Sequence, residues 1–240
     1  MKRISAVQTA DAAGVLVKLL FPTWENLPLD PFAQFSEFTV EGGSGVLPHA
    51  HSGLESVTYL LSGRLRHWDS LGNDRAVGPG GVQHFVAGRG IEHSELPATE
   101  TACHGLQLWV NLPAKLKSTR PRYEAVMAHQ IPQRHRDGAT IRTVVGGASP
   151  LKLRSSVFFQ HVQLLGGGTW KHSMRAGHTG FLYLLRGDLA VDELVLRQGE
   201  GLLLFEGQRL SARAVPEAHF VCLTGKPLGQ PIAVSGDAVA

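Results

Sequence analysis

Hydrophobic positions in this chain recur in short runs with a period of two, each closed by Gly, Pro or Asn. The clearest run, Ser56-Val-Thr-Tyr-Leu-Leu61, is rich in β-branched and aromatic residues and ends at Ser62-Gly63. Arg64–Asp69 alternates polar with apolar and is expected as its hairpin partner, followed by a turn at Leu71–Asp74. Gly14–Leu20, Phe35–Val40, Val82–Val86 and Leu106–Asn111 complete the strands of the first half. Ala139–Val145, Ser156–Leu165, Gly180–Leu185, Asp188–Leu196 and His219–Leu223 follow in the second. Strands at this spacing, with no long 3.6-residue periodicity between them, predict an all-β sandwich or barrel.

The two halves echo each other. Phe181-Leu-Tyr-Leu-Leu-Arg-Gly187 repeats the outline of Val57-Thr-Tyr-Leu-Leu-Ser-Gly63 at an offset of about 124 residues, and Arg197–Phe205 resembles Val77–Phe85. Two copies of one barrel in tandem are therefore expected. Between them, Ala114–Ile131 is polar and Pro-containing. The expected division is residues 1–114, a crossover over 115–136 with one helical turn, and residues 137–240.

Composition narrows the class. Apolar residues make up 43% of the 240 and charged residues 18%, enough for sizeable cores, and 28 glycines with 13 prolines fit a turn-rich β chain. The net charge of +3 comes from scattered basic residues, without the clustered stripe that nucleic acid requires. No apolar run is long enough for a membrane span, and none follows Met1-Lys2-Arg3 as a secretory leader would. Cys103 and Cys222 are expected as separate buried thiols, consistent with a reducing, cytoplasmic setting.

The stretch Gly43–Pro97 carries the chemistry. His49 and His51 stand near its start, His93 and Glu95 near its end, each pair spaced i, i+2, which puts both members on one face of a strand. Three imidazoles and a carboxylate form a borderline N/O donor set suited to Fe(II), Mn(II), Ni(II), Cu(II) or Zn(II). Glu55 has a parity that also permits an inward aim. Gln107 and Trp109 share one face of a strand and are candidate substrate contacts, with a place in the core as the alternative for Trp109; Gln83 and His84 have opposite parity, so one of them faces inward. His172 and His178 are read as loop histidines of a second barrel without metal.

These residues also carry a resemblance. Gly43-x5-His49-x-His51-x3-Glu55 followed by Gly63 resembles the first cupin motif. Pro48–Leu61, Arg66-His-Trp-Asp-Ser-Leu-Gly-Asn73 and Ala87–Glu95 closely resemble the pirin family, as do Leu106–Leu112, Gly177–Tyr183 and Gly225–Ile232. That resemblance implies a bicupin, two jelly-roll barrels with the metal, usually iron, in the first. Its ligand motif falls on His49, His51, His93 and Glu95, leaving Glu55 as a structural group or one supporting the ligands. It implies either a quercetin 2,3-dioxygenase-like enzyme acting with O2 on an aromatic, flavonol-like substrate, Glu95 being catalytic, or an iron-dependent regulator with a protein partner. A monomer or weak dimer is expected. The C-terminus, Ser235-Gly-Asp-Ala-Val-Ala240, departs from the family pattern, a difference expected to bear on the second barrel and to leave the metal site alone.

Overall fold

The protein is described here from a computed structural model covering every residue except 11–13. Antiparallel strands dominate it, with short 3-10 turns at Ala114–Leu116 and Ala128–Gln130, and none of the described helices is long and apolar enough to cross a membrane.

The chain forms two compact units whose boundaries are not those of a simple tandem. One comprises residues 7–130 and 228–240, the other residues 1–6 and 131–227. Each terminal segment thus belongs with the opposite half of the sequence. The expected crossover is also not a free linker, because its Arg122–Val126 pairs with Val82–Val86.

In the unit built on residues 7–130 and 228–240, one sheet runs in the order Arg122–Val126, Val82–Val86, Leu54–Ser62, Cys103–Asn111, Phe32–Val40, Val15–Phe21, Val7–Ala10. A second sheet has the order Val46–His51, Ile91–Pro97, Leu65–Asp69, Asp74–Val77. Leu65–Asp69 is therefore not the hairpin partner of Leu54–Ser62; it pairs with Asp74–Val77 and Ile91–Pro97. The turn at Ser62–Gly63 sends the chain to the other layer instead of back along the same one.

Inward-facing residues of both sheets meet in two apolar clusters. Val15, Phe38, Val40, Leu60, Leu65 and Val77 form one; Leu54, Phe85, Ile91, Trp109 and Val239 belong to the other. Burying each such side chain contributes about 1.5–3 kcal/mol. This is the framework on which the polar groups below are held.

In the unit built on residues 1–6 and 131–227, Lys2–Ser5, Glu200–Leu204, Thr179–Val191, Arg209–Gly225, Val157–Leu164, Ala139–Val145 and Gln133–Arg136 lie side by side. Two long strands shape it. Arg209–Gly225 pairs with Thr169–Ser173 through its first half and with Val157–Leu164 through its second. The register of Thr179–Val191 breaks between Leu184 and Arg186 and again between Gly187 and Asp188, which lets a single strand bend around the barrel. Leu182, Leu184, Leu202, Leu210 and Phe220 lie in its core.

Candidate metal centre

His49 and His51 end the strand Val46–His51, and His93 lies directly across from His49 on Ile91–Pro97. A register shift between His93 and Glu95 places Glu95 opposite Val46. The chain leaves His51 through Gly53, where φ is +74° and a Cβ would lie 2.0 Å from the carbonyl oxygen of Val239, so only glycine fits.

The backbone sets the imidazole tautomers. His49 Nδ1 lies 2.8 Å from the Leu47 carbonyl oxygen and His51 Nδ1 lies 2.7 Å from that of Asp237. A carbonyl only accepts, so each Nδ1 carries the hydrogen and each neutral ring presents a bare Nε2. These two Nε2 atoms face each other at 2.9 Å. Two lone pairs at that distance call for a shared electrophile. Burial holds the pKa of His51 down at about 4, against the raising effect of the Asp237 carbonyl and with a further lowering by His49.

His93 completes the trio, its ring centroid 4.5 Å from that of His49 and 4.9 Å from that of His51. Burial, and then the imidazoles of His51, His49 and His67, hold its pKa at about 2. Its Nε2 is buried and has no hydrogen-bond partner among the described residues. The donor atoms of the three histidines all lie within 4.8 Å of one another. An orphaned buried lone pair and two opposed ones fit a divalent transition ion.

Sequence reasoning missed His67. It is fully buried, its Nε2 donates to Asp69 Oδ2 at 3.1 Å, and its bare Nδ1 lies 3.4 Å from His93 Nδ1. Asp69, His67 and His93 therefore form a chain that leaves the hydrogen on His93 Nδ1 and the lone pair on Nε2. Asp69 is held by the backbone N–H groups of Leu71 and Asn73 and the Asn73 side chain, and Tyr123 stacks on His67 at 4.1 Å. The signal was present: Leu65, His67 and Asp69 share the inward parity of one strand.

Glu95 is not in the same tight set as His49 and His51. Its donor atoms group with those of His67 and His93, and it accepts hydrogen bonds from Thr58 Oγ1 at 3.0 Å and Gln107 Nε2 at 3.2 Å. Burial raises its carboxyl pKa, more than His67, Thr58 and His49 together lower it. Gln107 and Trp109 both face inward. Trp109 packs edge-on against His51 at 5.0 Å, and its buried Nε1 has no partner among the described residues. Beside these groups lies a cavity of about 320 Å³, with Val15, Val17, Phe38, Val40 and Leu65 along its apolar side.

Glu55 is turned away from the donor set. The bend at Gly53 resets the alternation, so Ser56 and Thr58 face inward while Glu55 and Val57 face outward. Fully buried Glu55 accepts from His84 Nε2 at 3.2 Å, and His84 Nδ1 donates to Glu124 at 2.9 Å. Gln83, not His84, faces inward, donating to the Leu65 carbonyl. The C-terminus also differs from expectation. Residues 228–240 lie with the metal-site unit, where Asp237 orients His51, Val239 N donates to the Ser52 carbonyl, and Lys117 Nζ donates to the Val239 carbonyl. His172 lies on the strand Thr169–Ser173 with its ring stacked on Trp170, and His178 in the following turn; neither belongs to a donor set among the described residues. Cys103 and Cys222 are buried free thiols.

Comparison with known proteins agrees with this architecture. The pirin family model matches residues 25–110 and the pirin C-terminal cupin domain residues 159–240. A pirin-like protein of Caulobacter vibrioides is 32% identical, over 97% of this chain and 88% of its own. A protein of Pseudomonas aeruginosa, provisionally named a quercetin 2,3-dioxygenase, is 33% identical over 95% and 86%. The crystal structure of a quercetin 2,3-dioxygenase from Acinetobacter baumannii superposes with a TM-score of 0.91 at 28% identity, covering 100% of this chain and 90% of that one.

Proposed function

This chain belongs to the pirin family, with two cupin domains, and we propose that it is a metal-dependent dioxygenase acting with O2 on a flavonol-like aromatic substrate. The observation that carries this reading is the convergence of ring nitrogens of His49, His51 and His93, two of them opposed Nε2 atoms, beside a cavity with one apolar wall. His49, His51 and His93 would hold the ion and Glu95 would complete the set. Fe(II) is the proposed occupant, in a donor set that also accepts Mn, Ni, Cu or Zn. When bound, such an ion acidifies a coordinating substrate hydroxyl and supplies the redox chemistry for O2.

The protein's own groups do the rest. Val15, Phe38, Val40 and Leu65 receive the aromatic rings and exclude water. Trp109 Nε1–H is a donor available to a substrate oxygen. Glu95, fixed between Thr58 and Gln107, is the carboxylate placed to take the hydroxyl proton. The names of the relatives from P. aeruginosa and A. baumannii support this substrate class.

A second reading, an iron-dependent regulator with a protein partner, is favoured by Leu47. Its side chain is 76% exposed while its carbonyl fixes His49, so a change at the ion reaches the surface within two residues.

Elemental analysis of the purified protein, followed by oxygen uptake with quercetin, tests the enzymatic reading. One bound transition ion per chain and quercetin-dependent uptake that is lost in Glu95→Ala are expected. A loaded protein that consumes no oxygen with any flavonol would leave the regulator reading in possession.

A further inference from the structure

The second barrel has a cavity of its own, of about 260 Å³. Carried forward by the same 124-residue offset that relates Val57–Gly63 to Phe181–Gly187, His49 and His51 fall on Ser173 and Arg175. Both residues line this cavity. The position that gathers lone pairs in one barrel therefore offers a hydroxyl and a guanidinium in the other.

The remaining lining is of the same character. Arg134 and Lys171 join Arg175 at the rim, and none of the three makes an ion pair among the described residues. Among the described residues no carboxylate lines the cavity. At its floor lie Gln160, 4% exposed, and Thr224, 6% exposed. Neither side chain has a hydrogen-bond partner among the described residues, and neither is sealed from solvent, so the amide and the hydroxyl open onto the cavity. Two cavity-facing groups able to donate, beneath three cations without an ion pair among the described residues, define the complement of an anion. Cations around a low-dielectric concavity also focus their field on its interior. The volume admits a metabolite-sized molecule, and Phe158 supplies one apolar wall.

We propose that the second barrel binds a small multivalent anion, a phosphate monoester or a polycarboxylate, with Arg134, Lys171 and Arg175 supplying charge and Gln160 and Thr224 directional hydrogen bonds. This site is independent of the metal reading and stands whether or not the first barrel is an oxygenase.

Calorimetric titration of the full chain in chloride buffer, with inorganic phosphate and separately with citrate, tests it. One saturable site per chain is expected for at least one of the two, with affinity falling as ionic strength rises. Preference for one probe tells phosphate from carboxylate chemistry. Arg175→Ala should weaken that binding about tenfold or more, since it removes a charge-assisted contact. Gln160→Glu, nearly isosteric, should abolish it by placing a negative charge at the floor, with the folded state verified by circular dichroism and metal content unchanged. Binding absent for both probes up to millimolar concentration, or unaltered in Arg175→Ala, would mean that water alone occupies the cavity and would overturn the proposal.

Discussion

The chain Asp69–His67–His93 makes Asp69→Asn an informative perturbation. Asp69 is fully buried and uses both oxygens: Oδ2 accepts from His67 Nε2, while Oδ1 accepts from the backbone N–H groups of Leu71 and Asn73. Asparagine has one acceptor oxygen. If that oxygen stays with the turn, the amide NH2 meets His67 Nε2, which must give up its hydrogen. His67 Nδ1 then carries the proton and faces His93 Nδ1, 3.4 Å away, so the His93 hydrogen moves to Nε2, the atom that would bind the ion. If the amide flips, two backbone donors in the turn lose their acceptor. The first arrangement disfavours metal binding, and loss of such a supporting group costs roughly 10–100-fold in affinity, about 1.4–2.8 kcal/mol. The second costs stability, about 1–3 kcal/mol. The assay is competition for Fe(II) or Zn(II) against a chromophoric chelator at pH 7, with thermal unfolding of the apoprotein alongside. Asn73→Ala is the control, since it removes side-chain bonds to Asp69 without touching His67: it should lower apo stability and leave affinity within about threefold. Affinity of Asp69→Asn within twofold of the parent would refute the tautomer argument.

Other predictions test other contacts. Deleting residues 235–240 removes the Asp237 acceptor of His51 and the buried Val239; metal affinity should fall by at least about tenfold, and the apoprotein should lose about 2 kcal/mol or more in denaturant unfolding. Glu55→Gln should cost about 1–2 kcal/mol of stability through its bond to His84 and leave the metal-to-protein ratio unchanged, an outcome that a ligand role for Glu55 forbids. Apo stability should fall with acid. Folded His51, His93 and His161 have pKa values of about 4, 2 and 3, set chiefly by burial, below the unfolded value of about 6.5, so the unfolded state takes up protons first. Their contribution is complete above pH 6.5 and is lost as pH falls toward the folded values, at about 1.4 kcal/mol per pH unit for each histidine. His84 has the opposite sign: its bonds to Glu124 and Glu55 raise its pKa despite burial, so its contribution is present below pH 6.5 and lost as pH rises through the folded value. Denaturant midpoints of metal-free protein from pH 7 to 4 measure the slope, and a flat profile would contradict neutral buried imidazoles.

What could be read in advance depended on whether a group announces itself by residue type and spacing. The strand pattern predicted an all-β chain, and the i, i+2 pairs singled out His49, His51 and His93, which the fold brings together. Glu95 was legible as an inward group, but the register shift beside it decides its neighbours, and a one-residue bulge leaves no trace in composition. Glu55 was read as a structural or supporting group, and only the inward aim that its parity permitted fails, because parity carries along a strand but not across the turn at Gly53. His67 escaped notice because its partner His93 is 26 residues away on an adjacent strand, and pairing register is a tertiary property. Asp237 is the extreme case. It acts through its backbone carbonyl, 186 residues from His51, so no side-chain signature exists to be found. A metal centre of this kind is therefore written in two parts. The atoms that would touch the ion are side chains and show in the sequence, whereas the acceptors that decide which nitrogen is bare are backbone groups delivered by the fold. That division explains why an atypical C-terminal sequence is compatible with an intact site: Asp237 contributes an oxygen that any residue at that position would supply, provided the segment still returns to the barrel that holds His51.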